Sequence, residues 1–119
     1  MPVNHRPTRS LRVLLAFPDA AALAVRLGLQ PDIEVVATAL ARPAVALVEE
    51  PGAVAELLGE DPECRVLVLT GSAHPGLREA ALEAGAAGLV LRDGPIEDLA
   101  DSIRRASMGE TVVDPALEP

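Results

Sequence analysis

A single α/β domain on a parallel sheet is the fold class this sequence predicts, and three observations predict it. Short apolar runs alternate with stretches whose apolar residues recur at helical spacing. That is the pattern of strands covered on both faces by crossover segments. The 119 residues, half of them hydrophobic, suffice for one core and leave no room for a second. The lone Cys64 excludes an internal disulfide scaffold, so the core must hold the chain together.

The first strand is read at Leu11–Phe17, the run LRVLLAF, which Pro18 breaks. Asp19 is read as the N-cap of a short helix. Its Ala20, Leu23, Ala24 and Leu27 recur at helical spacing, and it ends near Gly28, before Pro31. Ile33–Ala39, IEVVATA, is the second strand. After an ambiguous middle, Gly52–Glu60 reads as a helix turning Val54, Leu57 and Leu58 inward. Val66–Thr70 is an apolar run ending in a Thr-Gly-Ser loop. Pro75 opens a helix whose inner face is Leu77, Ala80, Ala81 and Ala84, with Gly85 suited to the left-handed position beyond it. Ala87–Leu91 is a further strand. Asp93-Gly94-Pro95 starts a last helix with the inner stripe Ile96, Leu99, Ala100, Ile103 and Ala106, stopped by Gly109. Thr111–Val113 reads as an extended tail.

The middle admits two readings. Val45–Val48 is either a third strand or part of a helix that Pro43 begins; Pro51 ends it in both. A parallel crossover ordinarily takes a dozen residues or more. Only Leu40, Ala41, Arg42 and Pro43 separate Ala39 from Ala44. The spacing therefore excludes an ordinary parallel third strand. Either the segment pairs antiparallel in a hairpin, or it is helical and the sheet loses a strand; the reading leans to the helix. The sheet is expected to be shortened in the middle, to four or five strands.

Charge excludes several functions. Arg6, Arg9 and Arg12 are the only charges in the first twelve residues, and residues 1–10 read as a disordered basic arm. From Val13 onward seven Arg face all eighteen acids. Such a body repels phosphate backbones, and with Phe17 as the only aromatic it has no stacking platform for single strands. Lysine is absent, which excludes a phosphate-loop or Schiff-base Lys. The two histidines, His5 and His74, and Cys64 give no metal-ligand spacing. No stretch is long enough to span a bilayer and no secretory signal is read, so a cytoplasmic location is expected.

Several phrases, in order, resemble the receiver domain of NarL-like two-component response regulators. They are LRVLLAF (Leu11–Phe17), PDIEVVATA (Pro31–Ala39), CRVLVLT (Cys64–Thr70) and above all REAALEAGAAGLVLRDGPIEDLADSIRRASMGETVVDPAL (Arg78–Leu117). The resemblance covers about two-thirds of the chain. It implies a flavodoxin-like (CheY-like) parallel sheet flanked by helices, with the site at the carboxyl ends of the strands. Residues 11–117 would form one degenerate receiver domain. The resemblance also implies a Mg²⁺-binding acidic pair after the first strand, where this chain has Phe17-Pro18, with Asp19 next to it. The phosphoacceptor Asp falls nearest to Glu49, the hydroxyl residue at Thr70, and the Lys at Arg92, whose planar fork does not replace a compact ammonium.

The expected function is thus that of an atypical receiver, not an enzyme. It is not phosphorylated, uses no metal or cofactor, and acts through a protein partner or a homodimer. The degenerate pocket would comprise Phe17, Pro18, Asp19, Thr70 and Arg92, with Phe17 filling the vacated space. Asp98, Asp101, Arg104 and Arg105 would face outward from the last helix as the interface. DNA would be reached only through a domain absent from this chain. The alternative is a ligand-binding pseudo-receiver or a small nucleotide-binding α/β enzyme.

Overall fold

The computed structural model describes residues 10–117, so all but one residue of the predicted basic arm lies outside the described residues. Six strands form one sheet: β1 (Leu11–Leu15), β2 (Ile33–Val36), β3 (Val45–Val48), β4 (Arg65–Thr70), β5 (Gly88–Leu91) and β6 (Val112–Val113). Their order is β2-β1-β3-β4-β5-β6 and every neighbouring pair is parallel. Four helices cover it: α1 (Ala21–Gly28), α2 (Pro51–Glu60), α3 (Leu77–Glu83) and α4 (Ile96–Ser107).

The side-chain period of each strand divides the core in two. On one face α1 and α4 lay Leu27, Leu99 and Ile103 on Val13, Val45, Leu47, Leu67 and Val90. On the other, α2 and α3 bring Val54 and Ala81 onto Leu14, Ala46, Val48, Val66 and Leu89. Every residue of β3 is fully buried, which is why the run carries no polar residue.

This overturns the sequence reading of the middle. Val45–Val48 is a parallel strand between β1 and β4, with Val13 opposite Val45 and Val45 opposite Arg65, and the sheet is not shortened. The connection over residues 37–44 holds only a 3-10 turn, Ala39–Ala41. It suffices on length: returning along a four-residue strand takes about 13 Å and crossing two strand spacings about 10 Å, within the roughly 26–29 Å that eight residues can reach. The Thr38 hydroxyl accepts from the Leu40 N–H at 3.1 Å, Arg42 turns the chain in the left-handed region at φ 57°, and Arg12 donates to the Ala41 carbonyl at 3.0 Å. Ala39 packs inward in place of a helix face.

The expected tail is also a strand. Val112 N–H donates to the Ala87 carbonyl at 2.9 Å and Asp114 N–H to the Leu89 carbonyl at 3.0 Å. Gly88 lies opposite Val112, and a Cβ on it would meet the Val112 carbonyl oxygen at 1.8 Å. Toward the opposite edge, β1 stops at Leu15 and the edge strand β2 at Val36, both short of the expected ends. Asp19 does not cap α1. It sits in the left-handed region at φ 59°, and Ala20 holds the cap position with no side-chain bond.

Candidate functional site

The strands deliver their carboxyl ends to one edge of the sheet. There Phe17 and Pro18 from the β1 end, Glu49 and Glu50 from the β3 end, Thr70 from β4 and Arg92 from the β5 end line a cleft of about 460 Å³. Four of the five residues expected in the pocket are gathered here. Asp19 is not: it is exposed in the turn before α1 and lines no part of the cleft.

Arg92 sets the geometry. Its Nη1 donates to Glu49 Oε2 at 2.9 Å, closing an ion pair across the ends of β5 and β3. The guanidinium crosses β4 on the way. A Cβ on Gly71 would lie 2.8 Å from Arg92 Nη2, so the glycine leaves the space the guanidinium occupies. The path is anchored by Arg92 N–H, which donates to the Thr70 carbonyl at 2.7 Å. Thr70 is buried, and its hydroxyl is engaged locally, donating to the Ser72 carbonyl at 2.9 Å.

Phe17 does not fill the site. Its ring is half-buried against the α1/α4 core, and the cleft stays open beside it. The donor set does not fit the Mg²⁺ that the resemblance implies. The β1 end offers no side-chain oxygen, Glu49 is committed to Arg92, and no cluster of three His, Cys, Asp or Glu forms among the described residues.

The other candidates separate. Ser72 Oγ lies 3.2 Å from His74 Nε2, but both are exposed, and among the described residues no acid pairs with the ring. Cys64 is buried, and burial pushes its thiol up to about 11, which leaves it a neutral core residue. His5 lies outside the described residues. On α4, Asp98, Asp101 and Arg105 are exposed as expected. Arg104 is not free: it grips Asp32 through two bonds of 2.8 and 2.9 Å and reaches Gln30 at 2.9 Å. Arg105 pairs with Glu110 at 2.9 Å, not with Asp101 one turn back. Sequence reading passed over Glu50, Gly71 and the exposed Val25 and Leu29 of the α1 region. A glycine right after a strand was the available signal for Gly71.

Comparison with known proteins fixes the class. No protein-family model matches the chain. It is 45% identical over 62 residues to the transcriptional regulatory protein YvfU of Bacillus subtilis, and 38% identical over 58 residues to the transcriptional regulatory protein DesR of the same organism. Among solved structures it superposes on the response regulator ChrA of a heme-sensing two-component system with TM-score 0.75 at 26% identity, over 91% of this chain. It superposes on the signal receiver domain of NarL from Mycobacterium tuberculosis with TM-score 0.76 at 20% identity, over 86% of this chain and 99% of that one. The chain is a receiver domain of the NarL/LuxR type. A receiver is a signalling module and not an enzyme. The matched stretches span 31% of YvfU and 29% of DesR, less than a third of either relative. The ChrA chain is also longer, with 62% of it covered. The receiver fold explains why Glu49, Thr70 and Arg92 converge, because α/β sheets of this order gather their sites beyond the strand ends.

Proposed function

We propose that this receiver does not exchange phosphate and works by protein contact, as the cytoplasmic regulatory part of a transcription regulator that reaches DNA through another domain. The Glu49–Arg92 pair carries the reading. The acceptor position holds a carboxylate already bound to the cation that would otherwise meet a phosphoryl group, and the β1 end supplies no metal ligand. Phosphoryl transfer is catalysed almost wholly by positioning and charge compensation, so losing both leaves little to drive it. Glu49 also places its charge one methylene farther out than Asp. This supports a pocket permanently set in one state, with the ion pair standing in for a phosphate contact. The test is incubation with acetyl phosphate and Mg²⁺ followed by intact mass. An unchanged mass is expected; a stoichiometric adduct of roughly 80 Da, one phosphoryl group, overturns the proposal.

The open cleft beside Phe17 favours one alternative, a ligand- or nucleotide-binding use of the same site. A thermal shift of several degrees with one nucleotide or metabolite would replace contact signalling with ligand sensing.

A homodimer is the contact the surface favours. Val25 and Leu29, 66% and 77% exposed, project from α1 and its end beside α4. On α4 the exposed acids Asp98 and Asp101 precede Arg105, so an antiparallel second copy sets acids against arginine, as a two-fold interface requires. A structure of RcsB is described as dimers bound to DNA, in the same fold with TM-score 0.73 at 17% identity. Sedimentation at low salt should give a dimer, and Val25→Glu with Leu29→Glu a monomer. A wild-type monomer at high micromolar concentration refutes the dimer.

A further inference from the structure

At the end of the sheet opposite Arg92, a groove of about 890 Å³ runs across the starts of β3 and β4. Two large apolar side chains from distant parts of the chain line it: Leu40, 90% exposed, and Met108, 69% exposed. Both are held out by ordered backbone. Ala39 packs inward and the Leu40 N–H is fixed by Thr38, so the 3-10 turn points Leu40 away from the core. Met108 follows α4, where its N–H donates to the Arg105 carbonyl at 3.1 Å and Gly109 turns the chain at φ 96°.

Between them stand Glu60, Asp61 and Glu63, none in an ion pair among the described residues. Their position runs against local stability. They sit at and just beyond the C-terminus of α2, the negative end of its dipole, where a cation is the stabilising choice. Arg65 does not neutralise them. Its guanidinium is turned to the Ala106 and Glu110 carbonyls at 3.1 and 3.0 Å. Arg42 remains as the only other cation lining the groove.

We propose that this groove docks a basic, amphipathic segment of a partner protein, with apolar residues on Leu40 and Met108 and Lys or Arg against Glu60, Asp61 and Glu63. Solvent-facing apolar anchors beside uncompensated carboxylates match a helix with an apolar face and a basic edge. Methionine suits such a surface because its unbranched chain adapts to varied partners. The charge decides among occupants. A second copy's groove would set acid against acid, and nucleic acid or an anionic membrane would be repelled. The surface lies at the far end of the sheet from Glu49 and Arg92, so the inference stands apart from the pocket's chemistry.

The test uses a fluorescein-labelled amphipathic peptide of about 14 residues, built only of Leu and Lys, read by anisotropy at near-physiological salt. The wild-type chain should bind it with a micromolar Kd. Leu40→Ser with Met108→Ser should weaken binding by about tenfold, and Glu60→Gln with Glu63→Gln by a similar factor. Leu29→Ser, a comparably exposed apolar change outside the groove, should leave it unaltered. All these positions are exposed, and far-UV circular dichroism confirms that each variant is folded. Absence of binding, loss only in the charge variant, or equal loss in Leu29→Ser would each overturn the proposal. In the last two cases the peptide reads bulk charge or bulk apolarity and not this groove.

Discussion

Gly88→Ala separates two opposed effects whose magnitudes differ. In a strand with free space, replacing Gly by Ala stabilises by about 0.4–1 kcal/mol because the unfolded chain loses freedom. Here the added Cβ would lie 1.8 Å from the Val112 oxygen and 2.7 Å from its carbonyl carbon. Both are backbone atoms of the paired strand, and no rotamer relieves the clash. β6 must move by more than 1 Å, which strains or breaks the Val112–Ala87 and Asp114–Leu89 hydrogen bonds. Two such bonds contribute about 1–3 kcal/mol together. Val112 and Leu117, 3% and 4% exposed, lose part of their burial as well, about 1.5–3 kcal/mol if half is lost. The net expectation is a loss of about 2–4 kcal/mol, a large fraction of an ordinary domain's stability. Urea unfolding followed by circular dichroism measures it, since the chain has no Trp or Tyr for fluorescence. Amide exchange at Val112 and Asp114 should accelerate. If β6 detaches while the rest holds, the m-value should also fall. Unchanged or raised stability with Val112 still protected would refute the close approach and with it the sixth strand.

Three other outcomes follow from the same geometry. Phe17→Ala should cost about 1–2 kcal/mol in urea unfolding, below the 3–5 of a fully buried ring, because Phe17 is half-buried; a loss above 3 would mean the ring fills the site after all. The hydrogen bonds from Arg104 hold the Asp32 carboxyl below its ordinary 3.8. A carboxylate with a depressed folded value stabilises above the unfolded value and loses that contribution as pH falls through the folded one. Asp32→Asn should therefore cost about 0.5–1 kcal/mol at pH 7, a partly exposed pair's worth, and converge with wild type as pH falls through the lowered folded value; equal stability at pH 7 would dismiss the pair. Cys64, with its thiol near 11, should react with a thiol reagent only at the rate of unfolding; rapid labelling of the native chain would contradict its burial.

The parts of the fold that were legible in the sequence are those where local pattern and tertiary packing agree. Leu11–Leu15, Arg65–Thr70 and Gly88–Leu91 are apolar runs in doubly covered strands, and the stripe from Ile96 to Ala106 is the inner face of α4. The reading failed where it applied an average as a limit. A dozen residues is the usual crossover because most crossovers carry a helix. The requirement is only that the chain reach, and residues 37–44 reach β3 with a 3-10 turn and one left-handed arginine. Once β3 is in place, its four apolar residues explain themselves: buried on both faces, the strand shows no alternation to read. The two-residue β6 carried even less signal. What marked it was Gly88 in the partner strand, but a glycine inside a strand does not by itself name the backbone that approaches it.

At the site, residue types were legible but commitments were not. Sequence order places Glu49, Thr70 and Arg92 at strand ends, and the fold brings those ends together. Spacing does not show that Arg92 reaches across Gly71 to Glu49, or that Arg104 is bound to Asp32 and withheld from a partner. Both facts depend on pairings more than forty residues apart. They also change the functional argument in opposite directions. The first gives the pocket an internal counter-charge, the observation on which the proposal of a phosphate-independent receiver rests. The second removes one arginine from the helix face counted on for association. An interface on that face must then draw its stability from the exposed Val25 and Leu29, with Asp98, Asp101 and Arg105 left to set register. A dimer built this way should tolerate salt better than one held by charge pairs alone, because apolar burial is not screened. Persistence of the dimer from low salt to 0.5 M would support that division of labour. Full dissociation over the same range would return the interface to the charges of α4.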